Sequence, residues 1–118
     1  MKIKDKTLGG VTLLDLSGKI MGGEDYDVFQ GKVKSLVAEG KIDLLLDMGG
    51  VDWVNSTGLG ILVAGYTTLR KNNGRMKICC VSRRVDDILI VSGLKRVFEV
   101  FDSREEAIAS FGPTASTG

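Results

Sequence analysis

Four times along this chain an apolar run of strand length gives way to a segment whose apolar residues recur every three or four positions. That alternation leaves few architectures open. A strand, a helix and a second strand in succession pair the strands in parallel and lay the helix across the sheet. The 118 residues suffice for one such domain around one core. The expected fold is therefore α/β: a single domain over residues 1–111, with a four- to five-stranded, mostly parallel sheet packed with about four helices. Residues 112–118 hold the only proline and read as a flexible C-terminal tail.

The first run, Val11–Leu16, ends at Ser17-Gly18 and is expected to be a strand, with residues 2–6 pairing beside it across Gly9-Gly10. Gly22-Gly23 breaks the chain, and Glu24, Asp25 and Asp27 follow, acids suited to the positive end of a helix dipole. Tyr26, Phe29, Val33, Leu36 and Val37 mark the apolar face of that helix, which Gly40 stops. Ile42–Leu46 is almost uninterrupted apolar sequence, the pattern of a strand buried on both sides. Gly49-Gly50 and a short Val51–Val54 segment separate it from a helix with Leu59, Leu62, Val63, Tyr66 and Leu69 on one face. Met76–Val81 reads as the next strand, and Val85, Ile88, Leu89 and Ile90 as a short helix with a charged start at Arg83-Arg84. Val97–Phe101 is the last strand, and Asp102-Ser103 caps a helix carrying Ala107, Ile108 and Phe111.

Composition removes several functional classes. Sixteen Lys and Arg against fifteen Asp and Glu leave a net charge of +1. No basic excess exists to drive binding to nucleic acid or an anionic membrane. The absence of histidine excludes His-dependent triads, His acid–base chemistry and His-ligated metals. Cys79 and Cys80 are adjacent, and on an extended strand neighbours face opposite ways. They are expected to be small buried apolar side chains in a reducing compartment, not a redox pair. No run has the length of a signal-peptide core or a membrane span, so a cytoplasmic location is expected. Asp43, Asp47 and Asp52 lack a matched partner acid and read as solvated turn residues. No catalytic residue, metal site or cofactor is expected.

The segment Asn55-Ser56-Thr57-Gly58-Leu59-Gly60 is the most informative. Asn55 or Ser56 can cap the helix whose apolar face begins at Leu59. A hydroxyl there sits beside free backbone N–H donors and the positive dipole end, a setting that accommodates a phosphate. It is also what any ordinary helix cap looks like. Gly58 and Gly60 do not complete a dinucleotide fingerprint, since position 63 is Val, and no Gly-Lys-Ser/Thr phosphate loop is present. A receiver-type phosphoacceptor is unsupported too: Ser17-Gly18-Lys19 stands where an acidic pair would be needed. Trp53 either packs over the sheet, the commoner fate of a lone aromatic, or faces a partner.

At this loop the sequence resembles the sulphate-transporter and anti-sigma-factor-antagonist (STAS) domains, in their free-standing bacterial form. The strongest block runs from Leu44 to Leu62, LLLDMGGVDWVNSTGLGIL. Leu16-Ser-Gly-Lys-Ile20, Gly74-Arg-Met-Lys-Ile78 and Val91-Ser-Gly-Leu94 with Val97-Phe98 add further matches in the same order, so that the resemblance covers residues 8–111.

The resemblance implies a binding switch rather than an enzyme. In that family the unphosphorylated protein binds an anti-sigma factor, typically a serine kinase, and so releases a sigma factor. The kinase phosphorylates the first hydroxyl of the motif, and a metal-dependent serine phosphatase restores binding. Carried onto this chain, the acceptor is Ser56, with Thr57 the lesser candidate, and the partner-facing residues are Met21, Gly22, Trp53, Asn55, Ser56, Thr57, Gly58 and Leu59. Exposed apolar residues near Trp53 and Val54 would serve such a partner or a homodimer. Asn55 and Met21 stand where family members usually carry Asp. That departure leaves a second reading, a STAS scaffold or partner-switching protein of another pathway, such as a stress complex or lipid transport, without phosphorylation. A third reading is a nucleotide-binding protein.

Overall fold

The structure, a computed structural model, describes residues 1–112. The expected tail lies, Gly112 excepted, outside the described residues. In chain order the elements are β1 (Lys2–Leu8), β2 (Val11–Ile20), α1 (Glu24–Ala38), β3 (Asp43–Val54), α2 (Ser56–Lys71), β4 (Arg75–Cys79), α3 (Arg83–Val91), a 3-10 turn (Leu94–Arg96), β5 (Glu99–Phe101) and α4 (Arg104–Ser110). The five strands form one sheet in the order β1-β2-β3-β4-β5. β1 runs antiparallel to β2, and every later pair is parallel.

Because the strand order rises without reversal, crossovers of one hand place every connecting helix on the same face. Phe29, Val33 and Leu36 of α1, Leu59, Leu62 and Leu69 of α2, and Val85 and Leu89 of α3 share one apolar cluster with Leu44, Leu46 and Ile78 of the sheet. The intervening strand positions Leu13, Leu45 and Cys79 point the other way and meet Ala107 and Phe111 under α4. Leu44, Leu45 and Leu46 are all fully buried, as a central strand with both faces covered requires.

Two strands are longer than their sequence punctuation suggests. β2 does not stop at Ser17-Gly18 but continues to Ile20, and β3 runs through Gly49-Gly50 to Val54. The glycines mark irregularities within a continuing ladder. Ser17 pairs with Gly50 and Gly18 with Val51, with register shifts on either side. Gly18 takes φ +91°, and a Cβ on Gly50 would stand 3.0 Å from the Leu16 carbonyl oxygen.

Other boundaries move less. β4 ends at Cys79 rather than Val81, and β5 begins at Glu99 because the Val97 and Phe98 N–H groups both donate to the Leu94 carbonyl at the end of the 3-10 turn. Tyr26 and Ile90, expected on buried faces, are about half exposed, at 46% and 53%. The three aspartates do not cluster in a solvated turn. Asp43 accepts from Arg75 Nε and Nη2 at 2.9 and 2.8 Å, Asp47 lies mid-strand and only 6% exposed, and Asp52 alone is exposed. Cys79 is buried but Cys80 only partly so.

Candidate functional site

The end of β3 and the start of α2 meet the end of β2 at close range. Asn55 has extended backbone, and its Oδ1 accepts from the Gly58 N–H at 2.7 Å, which makes it the N-cap of α2. Its Nδ2 donates to the Met21 carbonyl at 3.1 Å, and its backbone N–H donates to the Ile20 carbonyl at 3.3 Å. Both ends of the amide are thus used, one to cap a helix and one to hold a neighbouring loop. A carboxylate at position 55 could still cap but has no proton to donate to Met21.

The loop between β2 and α1 is held from its other side by Asp25. The Met21 N–H donates to Asp25 Oδ2 at 3.0 Å, and the N-terminal ammonium lies 3.2 Å from Oδ1. The Met21 hydrogen bond, assisted by that ammonium, holds the Asp25 carboxyl below the usual carboxylate range although partial burial opposes it.

Steric contacts make the same junction unforgiving. A Cβ on Gly58 would stand 1.9 Å from the Ile20 carbonyl oxygen, a backbone atom with nowhere to go. Gly22, at φ +111°, packs against Thr57, where a Cβ would lie 2.9 Å from Cγ2. Gly60, by contrast, faces open space, so nothing steric requires a glycine there.

Of the residues picked out from sequence, Met21, Gly22, Asn55, Ser56, Thr57 and Gly58 are therefore one junction. Ser56 and Thr57 are exposed on the first turn of α2. The first N–H groups of a helix have no intrahelical acceptor, and no acidic residue occupies this turn to neutralise the dipole. Leu59 is 9% exposed and belongs to the core. Trp53 is half-buried, with the Arg84 guanidinium 5.5 Å from its ring centre, so it is neither fully packed away nor free.

Ser56 and Asn55 also rim an apolar groove of about 460 Å³ whose walls include Trp53, Leu59, Ile88 and Val91. The contribution of α3 was not identified from sequence. Its signal is the unbroken Ile88-Leu-Ile-Val91 run, more apolar residues than a short helix with one buried face can hide. Val91 is 87% exposed.

This junction, on a sheet of this order, coincides with a known family pattern: the STAS domain model matches residues 2–107. The chain belongs to the STAS domain family. Among its relatives, a protein described as a candidate anti-sigma factor antagonist, BtrV of Bordetella bronchiseptica, is 26% identical over 111 residues, spanning 94% of this chain and 95% of that one. A crystal structure from Thermotoga maritima, described in the same way, superposes with a TM-score of 0.83 at 19% identity over 92% of each chain. SpoIIAA of Bacillus in its phosphorylated form superposes with a TM-score of 0.71 at 16% identity, over 94% of this chain and 100% of that one. At these identities the two superpositions speak for the fold. In this STAS domain no helix among the described residues is long and apolar enough to cross a membrane.

Proposed function

We propose that this protein is an anti-sigma-factor antagonist. In its unphosphorylated form it binds an anti-sigma factor of the serine-kinase type, which frees a sigma factor, and phosphorylation of Ser56 ends that binding. The observation that carries the reading is the position of Ser56: exposed, on the first turn of a helix without acids, at the rim of an apolar groove. The name borne by BtrV and the phosphorylated state of SpoIIAA support it.

The physics of such a switch is local. A phosphoryl group adds about −1.5 to −2 charges near neutral pH. Free N–H groups and the helix dipole accommodate that charge, so the domain keeps its fold. A partner covering the groove must desolvate the same charge, and a penalty of a few kcal/mol lowers affinity by two or more decades. A metal-dependent serine phosphatase would restore binding.

Ser56→Asp should lose the cognate anti-sigma factor by at least about a hundredfold while its circular dichroism stays that of wild type. Ser56→Ala should bind normally and take up no phosphate from the kinase and ATP. Wild-type labelling of Ser56→Ala would move the acceptor to Thr57. Full binding by Ser56→Asp would sink the switch and favour the second reading, a phosphorylation-free scaffold using the same groove. Asn55 and Met21, uncharged where the resemblance implies acids, are the observation behind that second reading.

A further inference from the structure

Cys80 follows the last residue of β4 with φ 64°, a left-handed backbone seldom taken by a residue with a side chain. The alternation that would send Cys79 and Cys80 to opposite faces is broken at that point. Cys79 Sγ, Cys80 Sγ and a carboxylate oxygen of Asp47 all lie within 4.8 Å of one another. Asp47 sits directly across the parallel ladder from Cys79. Gly49 leaves them room, since a Cβ there would stand 3.1 Å from Asp47 Oδ1 and 3.7 Å from Cys80 Cβ. The cluster lies on the α4 face of the sheet, away from the groove beside Ser56.

We propose that Asp47, Cys79 and Cys80 form a binding site for a thiophilic divalent cation, zinc being the common case. Thiolate sulfur with one carboxylate suits zinc, and three protein donors leave a fourth position for water. Zn–S of about 2.3 Å and Zn–O of about 2.0–2.2 Å place tetrahedral donors roughly 3.5–3.8 Å apart. The cluster closes to that size by a movement of about 1 Å, within reach of small side-chain rotations.

The surroundings match a metal electrostatically. Two thiolates and one carboxylate carry three negative charges. The cation supplies two positive charges, and Arg104, whose Nε donates to Asp47 Oδ2 at 2.5 Å, supplies a third that it shares with Asp15, 3.5 Å from its Nη2. The Gly49 N–H donates to Asp47 Oδ1 at 2.8 Å, so the carboxylate is oriented before a ligand arrives. Access is from the side of half-buried Cys80 and exposed Gly49. On binding, the cation displaces the two thiol protons to solvent, and both sulfurs become ligands.

The test uses the full chain, reduced and metal-free. Zinc is added in competition with a chromophoric chelator, and cadmium is titrated while its thiolate charge-transfer absorbance is followed. The expected result is one zinc per chain, a rise in Tm with zinc, and a cadmium–thiolate band saturating at one equivalent. Cys80→Ser should weaken zinc at least about a hundredfold, and Asp47→Asn, which loses the charge but keeps an oxygen donor, about tenfold. Absence of stoichiometric zinc and of the cadmium band in the wild-type chain overturns the site. So does zinc binding by a folded Cys80→Ser chain as tight as wild type. The wild-type cadmium band decides the matter even if the variants fail to fold.

Discussion

Under α1, α2 and α3 the sheet buries a large cluster of aliphatic side chains around Phe29 and Phe98, whereas under α4 the buried apolar cluster of the described residues is small: Val11, Leu13, Leu45, Cys79, Ala107 and Phe111. Both buried charged residues of the described chain, Asp47 and Lys77, belong to the smaller side. Lys77 Nζ donates to the Ser110 carbonyl and hydroxyl at 3.0 and 2.9 Å, meets Glu99 at 3.0 Å, and lies 4.6 Å from the Phe111 ring centre. Arg75 and Arg104 tie α4 and its flank to Asp43 and Asp47 in the same way. A seven-residue helix cannot cover a sheet by apolar area alone, and ionic contacts supplement it. On the larger face, shape is what holds the switch region: helices pressed onto strands with glycine at the contacts. One side therefore suits a rigid docking surface, and the other suits polar chemistry.

The comparison breaks first if the larger face is not held by shape. Phe29 is fully buried, and its ring lies where a Cβ on Gly65 would stand, 2.4 Å from Cε2. Phe29→Ala should cost about 3–5 kcal/mol in urea denaturation. A loss below about 1 kcal/mol would mean that α1 and α2 reseat freely, and the rigid-surface account would fail. On the other face, Lys77→Met should cost less, about 1–2 kcal/mol, because Ser110 and Glu99 are exposed enough to find water. Its mark should be local: faster amide exchange in α4 with α2 unchanged. Equal acceleration in both helices would show that the two faces are not separable.

Periodicity made the order of elements and most core positions legible, because a strand buried on both sides and an amphipathic helix each have a local signature. The cap of α2 was legible only to within two residues, Asn55 or Ser56, and the extended backbone of Asn55 decides between them. The continuation of β2 and β3 was not legible. Ser17-Gly18 and Gly49-Gly50 are turn signals read singly, and only their pairing with each other turns them into a bulged ladder. The position of Asp47 against Arg104 joins residues 57 apart in sequence, which no local pattern reports. Cys80 departs from the expected alternation because its left-handed φ of 64° ends the strand geometry on which that alternation depends. The groove is half legible: Trp53 stands out as the lone tryptophan beside the loop, whereas the surplus apolar residues of α3 show as a wall only once the helix is seated.

A finer test concerns how the larger face carries the switch. Asn55→Asp restores the acid that relatives of this family usually have, as the resemblance implies, and keeps the cap on Gly58. It loses the donation to Met21 and sets a carboxylate against a carbonyl that is 3.1 Å away. The gain from the helix dipole, about 0.3–1 kcal/mol, and the lost hydrogen bond, about 1 kcal/mol, should nearly cancel in global stability. Amide exchange across residues 21–25 should nevertheless accelerate. Unchanged exchange would mean that Asn55 is only a cap, and that the two loops are held together by the glycine contacts alone.

The smallest effect is the acid dependence of the Asp25 tether. Its folded pKa lies below the ordinary 3.8 because the Met21 N–H and the N-terminal ammonium favour the carboxylate. A depressed carboxyl contributes stability that is fully present above its unfolded value and disappears as pH falls through the lower, folded one. Asp25→Asn can still accept from Met21 but cannot attract the ammonium. The stability gap between wild type and Asp25→Asn should therefore be constant at neutral pH and close below 3.8. Denaturation midpoints measured from neutral pH down to about pH 2 read that gap directly. A gap that persists in acid would assign the tether to hydrogen-bond geometry rather than charge, and Met21 would then be held on both sides, at Asp25 and at Asn55, by neutral contacts alone.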